Sequence, residues 1–204
     1  MLIQFLDGLS VKIQGVLHLG GHHGEELPYY RSKGIDHVVF CEANPTLIPV
    51  LSRNCGNDPR IKIFNVAVSD TNGTLPFHIT TNSQSSSILP LHDHLKSYPQ
   101  ITHLHTVMVP SKRVDDLLSE NSLDPKQYNC LNMDIQGAEL IALRGMPEYL
   151  QHCDVVYTEV NFTEMYRGCA LIGELEAELS KYGFRRSRIV NTNAGWGDAL
   201  YLKS

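Results

Sequence analysis

Asn132-Met-Asp134-Ile-Gln136-Gly-Ala-Glu139-Leu-Ile-Ala-Leu-Arg-Gly145 is the stretch of this 204-residue chain that decides its fold. Cys130, Leu131 and Met133 form an apolar approach that delivers Asp134 to the end of a buried strand. A small-residue turn follows, and Glu139, Leu140, Leu143 and Arg144 then open a helix. Strand, short turn and helix make up the unit of an open α/β sheet, whose strand carboxyl ends line the ligand crevice. Asp134 is thereby placed where chemistry happens.

Working outward, four more apolar runs read as buried strands: Val16–Leu19, Val38–Cys41, Ile61–Val66 and Val155–Val160. They are short, rich in Val and Ile and separated by helix-compatible segments, the pattern of βαβ units around a parallel sheet. The spacing predicts helices over Gly24–Lys33, Pro45–Asn54 and Leu171–Tyr182, the last with Leu171, Leu175 and Leu179 on one face. Phe184–Val190 and Ala199–Leu202, joined by a Gly195-Trp-Gly197-Asp198 turn, make a closing pair of strands. The expected total is seven strands, mostly parallel, with an antiparallel last strand, in one domain over residues 1–204. Residues 70–128 form an irregular excursion with extended pieces at Leu75–Thr80 and His103–Val109 and a helix starting at Val114. A connection that long inside a compact domain reads as a functional lid.

The composition narrows the classes. Apolar residues are 42% and charged residues 19%, as in an ordinary globular protein, and the formal charge is −5. A protein that tracks a nucleic-acid backbone needs a basic face instead, so no nucleic-acid partner is expected. No run approaches the about 18 apolar residues of a membrane span. The Met1–Gly15 segment lacks the basic start of a signal peptide. Cys41, Cys55, Cys130, Cys153 and Cys169 are odd in number and without a C-x-x-C pair, which fits reduced thiols in a cytoplasmic setting.

Val16-Leu-His18-Leu-Gly20-Gly21-His22-His23-Gly24-Glu25 is a strand, a glycine-rich turn and a helix start. Glycines there let a ligand approach the backbone, and the helix start would offer free N–H groups to an anion. Glu42 ends the next apolar run, where an acid can hydrogen-bond both hydroxyls of a ribose. A dinucleotide fingerprint needs a second glycine two positions after the first, and that position is His22. S-adenosylmethionine carries no pyrophosphate and tolerates a side chain there, so it is favoured over a nicotinamide.

Five blocks resemble the FkbM family of S-adenosylmethionine-dependent methyltransferases, in family order. They are His18-Leu-Gly-Gly-His-His-Gly24, Phe40-Cys-Glu-Ala-Asn-Pro45, Asn65-Val-Ala-Val-Ser-Asp70, Asp134-Ile-Gln-Gly-Ala-Glu-Leu140 and Thr158-Glu-Val-Asn161. Ser85-Ser-Ser87 and Val114-Asp-Asp-Leu117 match weaker family features. The resemblance spans roughly residues 15–203. It implies the Rossmann-like class I methyltransferase fold, a three-layer αβα sandwich, and an O-methyltransferase acting on a sugar, glycan or small metabolite. The chain departs from the family pattern at His18, where the first block usually begins with an acid, and at Gln136, more often a glutamate.

The resulting site assignments are specific. The cofactor would lie over Gly20, Gly21, His22 and Gly24, its ribose on Glu42 beside Ala43 and its adenine near Ala67 and Val68, with Asp134 close by. Methyl transfer requires a hydroxyl to be aligned with the methyl group and relieved of its proton. Asp134 and Glu159 end predicted central strands and are the expected catalytic pair, with Asn161 as helper. His23, Ser86, Ser87, Gln136 and Tyr166 are the expected acceptor contacts. Tyr157 and Trp196 read as packing residues. His92, His94, His103 and His105 have spacings at which imidazoles can share a metal, but nothing fixes a third ligand, and no metal is assigned. Three rivals remain: a nicotinamide oxidoreductase, a catalytically silent binding module of the same fold, and a nucleic-acid methyltransferase.

Overall fold

The computed structural model describes residues 6–204. The reading of the N-terminal segment therefore falls partly outside the described residues. The main strands are β1 (Gly15–Leu19), β2 (His37–Glu42) and β3 (Ile61–Asn65). Two further strands, β4 (Ala67–Val68) and β5 (Gly73–Thr80), pair with β6 (His103–Lys112) in a separate three-stranded sheet, order β4-β6-β5. The chain then returns through β7 (Cys130–Met133), β8 (Val155–Asn161), β9 (Phe184–Asn191) and β10 (Trp196–Lys203). The seven-stranded sheet has the order β3-β2-β1-β7-β8-β10-β9, and β10 alone runs antiparallel to its neighbours. The expected fold class holds in strand number, direction and layering.

Alternation along the strands sends successive side chains to opposite faces. Leu17, Leu19, Leu131, Met133 and Val156 pack on one side against α4 (Val114–Glu120), α5 (Glu139–Arg144), α6 (Pro147–His152) and α7 (Ile172–Ser180). Val16, Val38, Phe40, Cys130 and Val155 face α1 (Leu27–Ser32) and α2 (Ile48–Cys55) on the other. A short α3 (His94–Ser97) lies in the excursion. Every residue of β1, β7 and β8 is buried, and full burial of each Val or Leu contributes roughly 1.5–3 kcal/mol, which fixes the register of the three central strands.

Several local expectations are corrected. The first helix begins at Leu27 rather than Gly24, because Pro28 fits only a first turn. At six residues, α1 is too short and begins too late to present its N-terminus to an anion at the glycine turn. The second helix starts at Ile48, three residues past Pro45. Leu171 precedes α7 and is 40% exposed, so only Leu175 and Leu179 of the expected stripe are buried. Trp196 and Asp198, read as a turn, belong to β10.

From β1 the chain runs outward to β2 and β3, then returns to lay β7 on the opposite side of β1. That reversal opens a crevice at the carboxyl ends of β1 and β7. Gly20 and Asp134 leave those two ends, and the Asp134 N–H donates to the Leu19 carbonyl over 3.0 Å. Gly20 has φ +85°, and any side chain there would collide with the Asp134 carbonyl. Gly20→Ala is therefore expected to cost about 2–4 kcal/mol of unfolding free energy in urea titration, from left-handed strain plus the clash. A cost below about 0.5 kcal/mol would contradict this tight approach of the two turns.

Candidate active site

The floor of the crevice is polar. His18 and Asn132 lie opposite one another on β1 and β7, and both are buried. Asn132 Nδ2 donates to the Tyr30 hydroxyl over 2.7 Å, and that hydroxyl lies 3.2 Å from His18 Nδ1. With its lone pair taken by Asn132, Tyr30 has a proton to give to Nδ1, which requires an uncharged imidazole. Burial likewise pushes the His18 pKa down to about 4.

The glycine turn rises from that floor. The N–H groups of Gly20 and Gly21 both donate to the Cys41 carbonyl, at 2.9 and 3.1 Å. His22 adopts φ 41°, an uncommon conformation outside glycine, and this turns its N–H onto Glu42 Oε2 at 2.7 Å. The Asn44 N–H takes Glu42 Oε1 at 2.7 Å. One lone pair on each oxygen is thus occupied, and the carboxylate is held at the cavity wall with acceptor capacity to spare. Burial raises its pKa. The His22 ring pairs with Glu25 on one nitrogen, 2.8 Å, and with Ser83 Oγ of the excursion on the other, 2.9 Å.

The turn after β7 is built around Gln136, which has φ 57°. Glu139 lies beneath it and accepts the N–H groups of Ile135 and Gly137, at 3.1 and 3.2 Å. Gln136 Nε2 donates to Asp134 Oδ1 at 2.5 Å and to Glu159 Oε2 at 3.0 Å. The Tyr166 hydroxyl donates to Gln136 Oε1 over 2.5 Å, and Ser87 Oγ donates to the Gln136 carbonyl over 2.8 Å. Asp198 stands directly opposite Glu159 across the β8–β10 ladder and accepts the Tyr157 hydroxyl at 3.0 Å.

These carboxylates perturb one another. Burial first, then the charges of Asp134, Glu139 and Asp198, holds the Glu159 carboxyl well above its ordinary range. Burial and the Asp134 charge raise Glu139 to about 7, and burial raises Asp198 to about 6. Asp134 is exposed to the crevice, and the protein around it raises its pKa.

A cavity of about 510 Å³ joins the two turns. Gly20, His22, Glu42, Ala43, Ala67, Val68, Asp134, Ser86, Gln136, Glu159 and Tyr166 of the expected site line it. Five expected residues do not. Gly21 and Gly24 face the Phe40 and Leu51 side chains, where the close approach is to the core. His23 points to the surface, its ring 3.6 Å from Glu25. Ser87 is spent on Gln136, and Asn161 is buried at the strand end with its Oδ1 unpartnered. Sequence reasoning missed Glu26, Asp198, His94 and the cavity-lining role of Tyr157 and Trp196. The alternation of β10, in which Asp198, Leu200 and Leu202 share a face, was the available signal for Asp198. His103 contacts His78 and Thr106, away from this cavity, whereas His22, His23 and Glu25 present three potential ligand atoms within 4.8 Å of one another at the glycine turn.

Residues 18–186 match the methyltransferase FkbM domain family. The chain belongs to the FkbM methyltransferase family. The family is one of methyltransferases. Among curated relatives, the chain is 29% identical over 161 residues to the 2-O-methyltransferase NoeI of Sinorhizobium fredii, and 28% identical over 173 residues to the methyltransferase sdnD of Sordaria araneosa. The matches cover 75% and 74% of this chain and 65% of each relative, so the chain spans less than two-thirds of their length. Solved structures share the fold at low identity. The magnesium protoporphyrin IX methyltransferase of Synechocystis PCC 6803 with bound S-adenosylmethionine aligns at TM-score 0.50 and 8% identity, over 93% of this chain and 69% of that one. The ribosomal protein L11 methylase of Lactobacillus delbrueckii aligns at 0.51 and 9%, over 97% and 73%.

In this FkbM chain the Glu139 carboxyl titrates near 7 when folded and near 4.5 when unfolded. Folding therefore takes up a proton between those values, and this group costs stability as pH rises through them. His18, depressed to about 4 from 6.5, acts in the opposite sense. Comparing wild type with Glu139→Gln isolates the first effect. Urea unfolding at pH 5 and pH 8 is expected to show the variant gaining on wild type by on the order of 2 kcal/mol at the higher pH. A pH-independent difference would show that Glu139 is ionised throughout.

Proposed function

We propose that the chain transfers a methyl group from S-adenosylmethionine to a hydroxyl of an uncharged acceptor, in the class of sugars, glycans and small polyhydroxylated metabolites. The observation that carries this reading is one cavity holding both Glu42 at the glycine turn and the Asp134–Gln136–Glu159 group. S-adenosylmethionine, when bound, supplies a methyl group already activated on a sulfonium.

The residues present fit that ligand. Glu42 has acceptor sites left for the two hydroxyls of a ribose, and Ala43, Ala67 and Val68 give an apolar wall for a base. His22 presents a side chain where a pyrophosphate would need bare backbone, which counts against a nicotinamide dinucleotide. Asp134 and Glu159 are the groups that can take a hydroxyl proton, and carboxyls whose pKa is raised by burial are suited to that task. Gln136 cannot take a proton; it spaces the two carboxylates and keeps them aimed into the cavity. Tyr166 fixes the Gln136 amide in the orientation that donates to both.

Among the described residues no Lys or Arg lines the cavity, whereas Glu25, Glu26, Glu42, Asp134, Glu159 and Asp198 do. A phosphorylated, sulfated or carboxylated acceptor would meet that charge without a counter-ion, so an uncharged hydroxyl compound fits best. The 2-O-methyltransferase named among the relatives supports a hydroxyl as target.

Calorimetric titration tests the cofactor. S-adenosylmethionine and S-adenosylhomocysteine are expected to bind and NAD not to, and Glu42→Ala should weaken both sulfur ligands by at least about tenfold. Absence of binding by the folded wild-type chain at millimolar ligand would end this reading. With an acceptor found by screening hydroxylated glycans, Glu159→Gln should lower kcat roughly 100-fold or more while leaving affinity for S-adenosylhomocysteine nearly unchanged. Retained turnover in that variant would remove Glu159 from proton transfer and leave Asp134 as the base.

A further inference from the structure

The cavity wall between the two turns contains a carboxylate that neither the cofactor hydroxyls nor the proton transfer above employs. Glu26 lies immediately before α1 and lines the cavity with His18, Asn132 and Asp134. The other acids of the glycine turn have partners. Glu25 bonds the ring of His22 and the backbone of His23, and Glu42 holds two backbone N–H groups. Among the described residues no other side chain hydrogen-bonds or ion-pairs the Glu26 carboxylate. His18 lies at the same floor, but it is neutral and accepts the Tyr30 hydroxyl on Nδ1, so it offers no charge there.

S-adenosylmethionine and its demethylated product both end in an amino acid, whose α-ammonium needs a negative partner when it leaves water. Of the carboxylates lining the cavity near the glycine turn, Glu25 is engaged with His22 and His23 and Glu42 faces the ribose position, which leaves Glu26 and Asp134. Resting on the cofactor reading above, we infer that Glu26, together with Asp134, receives the α-ammonium of the cofactor's amino-acid end. Glu26 is then a binding residue specific to that end of the ligand, and it sets the head-to-tail direction of the cofactor from Glu26 to Glu42.

The electrostatics are consistent. Burial, then the charges of Glu25 and Asp134, raises the Glu26 carboxyl to about 7, while its own backbone N–H and His22 act the other way. The remaining groups facing it, Tyr30 from α1 and His18 from β1, are uncharged at neutral pH. A cation arriving beside a carboxyl that titrates near neutrality lowers its pKa, so binding should release protons.

The test uses Glu26→Gln, which keeps the shape and removes the charge, with retained fold checked by its thermal transition. Wild type and variant are titrated by calorimetry at pH 6.5 with S-adenosylhomocysteine and with 5′-methylthioadenosine, which lacks the amino-acid end. Each titration is run in two buffers of different ionisation enthalpy. The expected result is about a tenfold or greater loss of S-adenosylhomocysteine affinity in the variant, with 5′-methylthioadenosine unchanged within about twofold. Proton release on binding S-adenosylhomocysteine should also fall. Unchanged affinity for S-adenosylhomocysteine, or equal weakening of both ligands, overturns the inference while leaving the cofactor reading in place. If wild type binds neither ligand, the cofactor reading fails and this inference fails with it.

Discussion

The side-chain amide of Gln136 donates to Asp134 and to Glu159, while its carbonyl oxygen accepts from Tyr166. Two carboxylates facing one cavity repel each other, and neither has a Lys or Arg among the residues lining it. A neutral donor between them is what allows both to face the same space. It satisfies one oxygen of each without fixing either as permanently ionised, as a cation would. Gln136 in turn depends on the turn that carries it, held from below by Glu139 and from the side by Ser87. The positive φ of Gln136 is the backbone cost of pointing that amide inward.

The excursion is tied to both halves of the crevice. Ser83 bonds the His22 ring at the glycine turn, and Ser87 bonds the Gln136 carbonyl at the β7 turn. Further along, His92 and His94 donate backbone N–H groups to Met165, and the Trp196 indole donates to Tyr98. The segment between β5 and β6 is therefore part of the site's wall. Its serines carry positioning bonds: Ser86 and Ser87 are both buried, Ser87 on the Gln136 carbonyl and Ser86 accepting the Thr80 N–H where it lines the cavity.

Much of this was legible in the sequence because it is local. The strands β1, β2, β7 and β8 are short, mainly apolar runs buried on both faces, and Asp134 and Glu42 each stand at the end of such a run. What sequence reading lost depends on contacts between distant segments. Asp198 looks like a turn residue until antiparallel register sets it opposite Glu159, 39 positions away. Gly21 and Gly24 have the spacing of ligand-facing glycines, but the packing of Phe40 and Leu51 behind the turn claims them. Pro28 sets the start of α1 at Leu27, past the glycine turn, and removes the anion site that the turn's spacing suggests.

The same displacement of α1 bears on charge. Had the helix begun at Gly24, free N–H groups would favour an anion at the glycine turn. Beginning instead at Leu27, it leaves Glu25 and Glu26 in the loop between turn and helix, and the local field becomes negative. With His18 neutral beneath them, that end of the crevice favours a positively charged ligand group. A sulfonium with an α-ammonium is such a ligand, and a pyrophosphate is not. The discrimination between the two therefore rests on where one proline lets a helix begin, as much as on the missing second glycine.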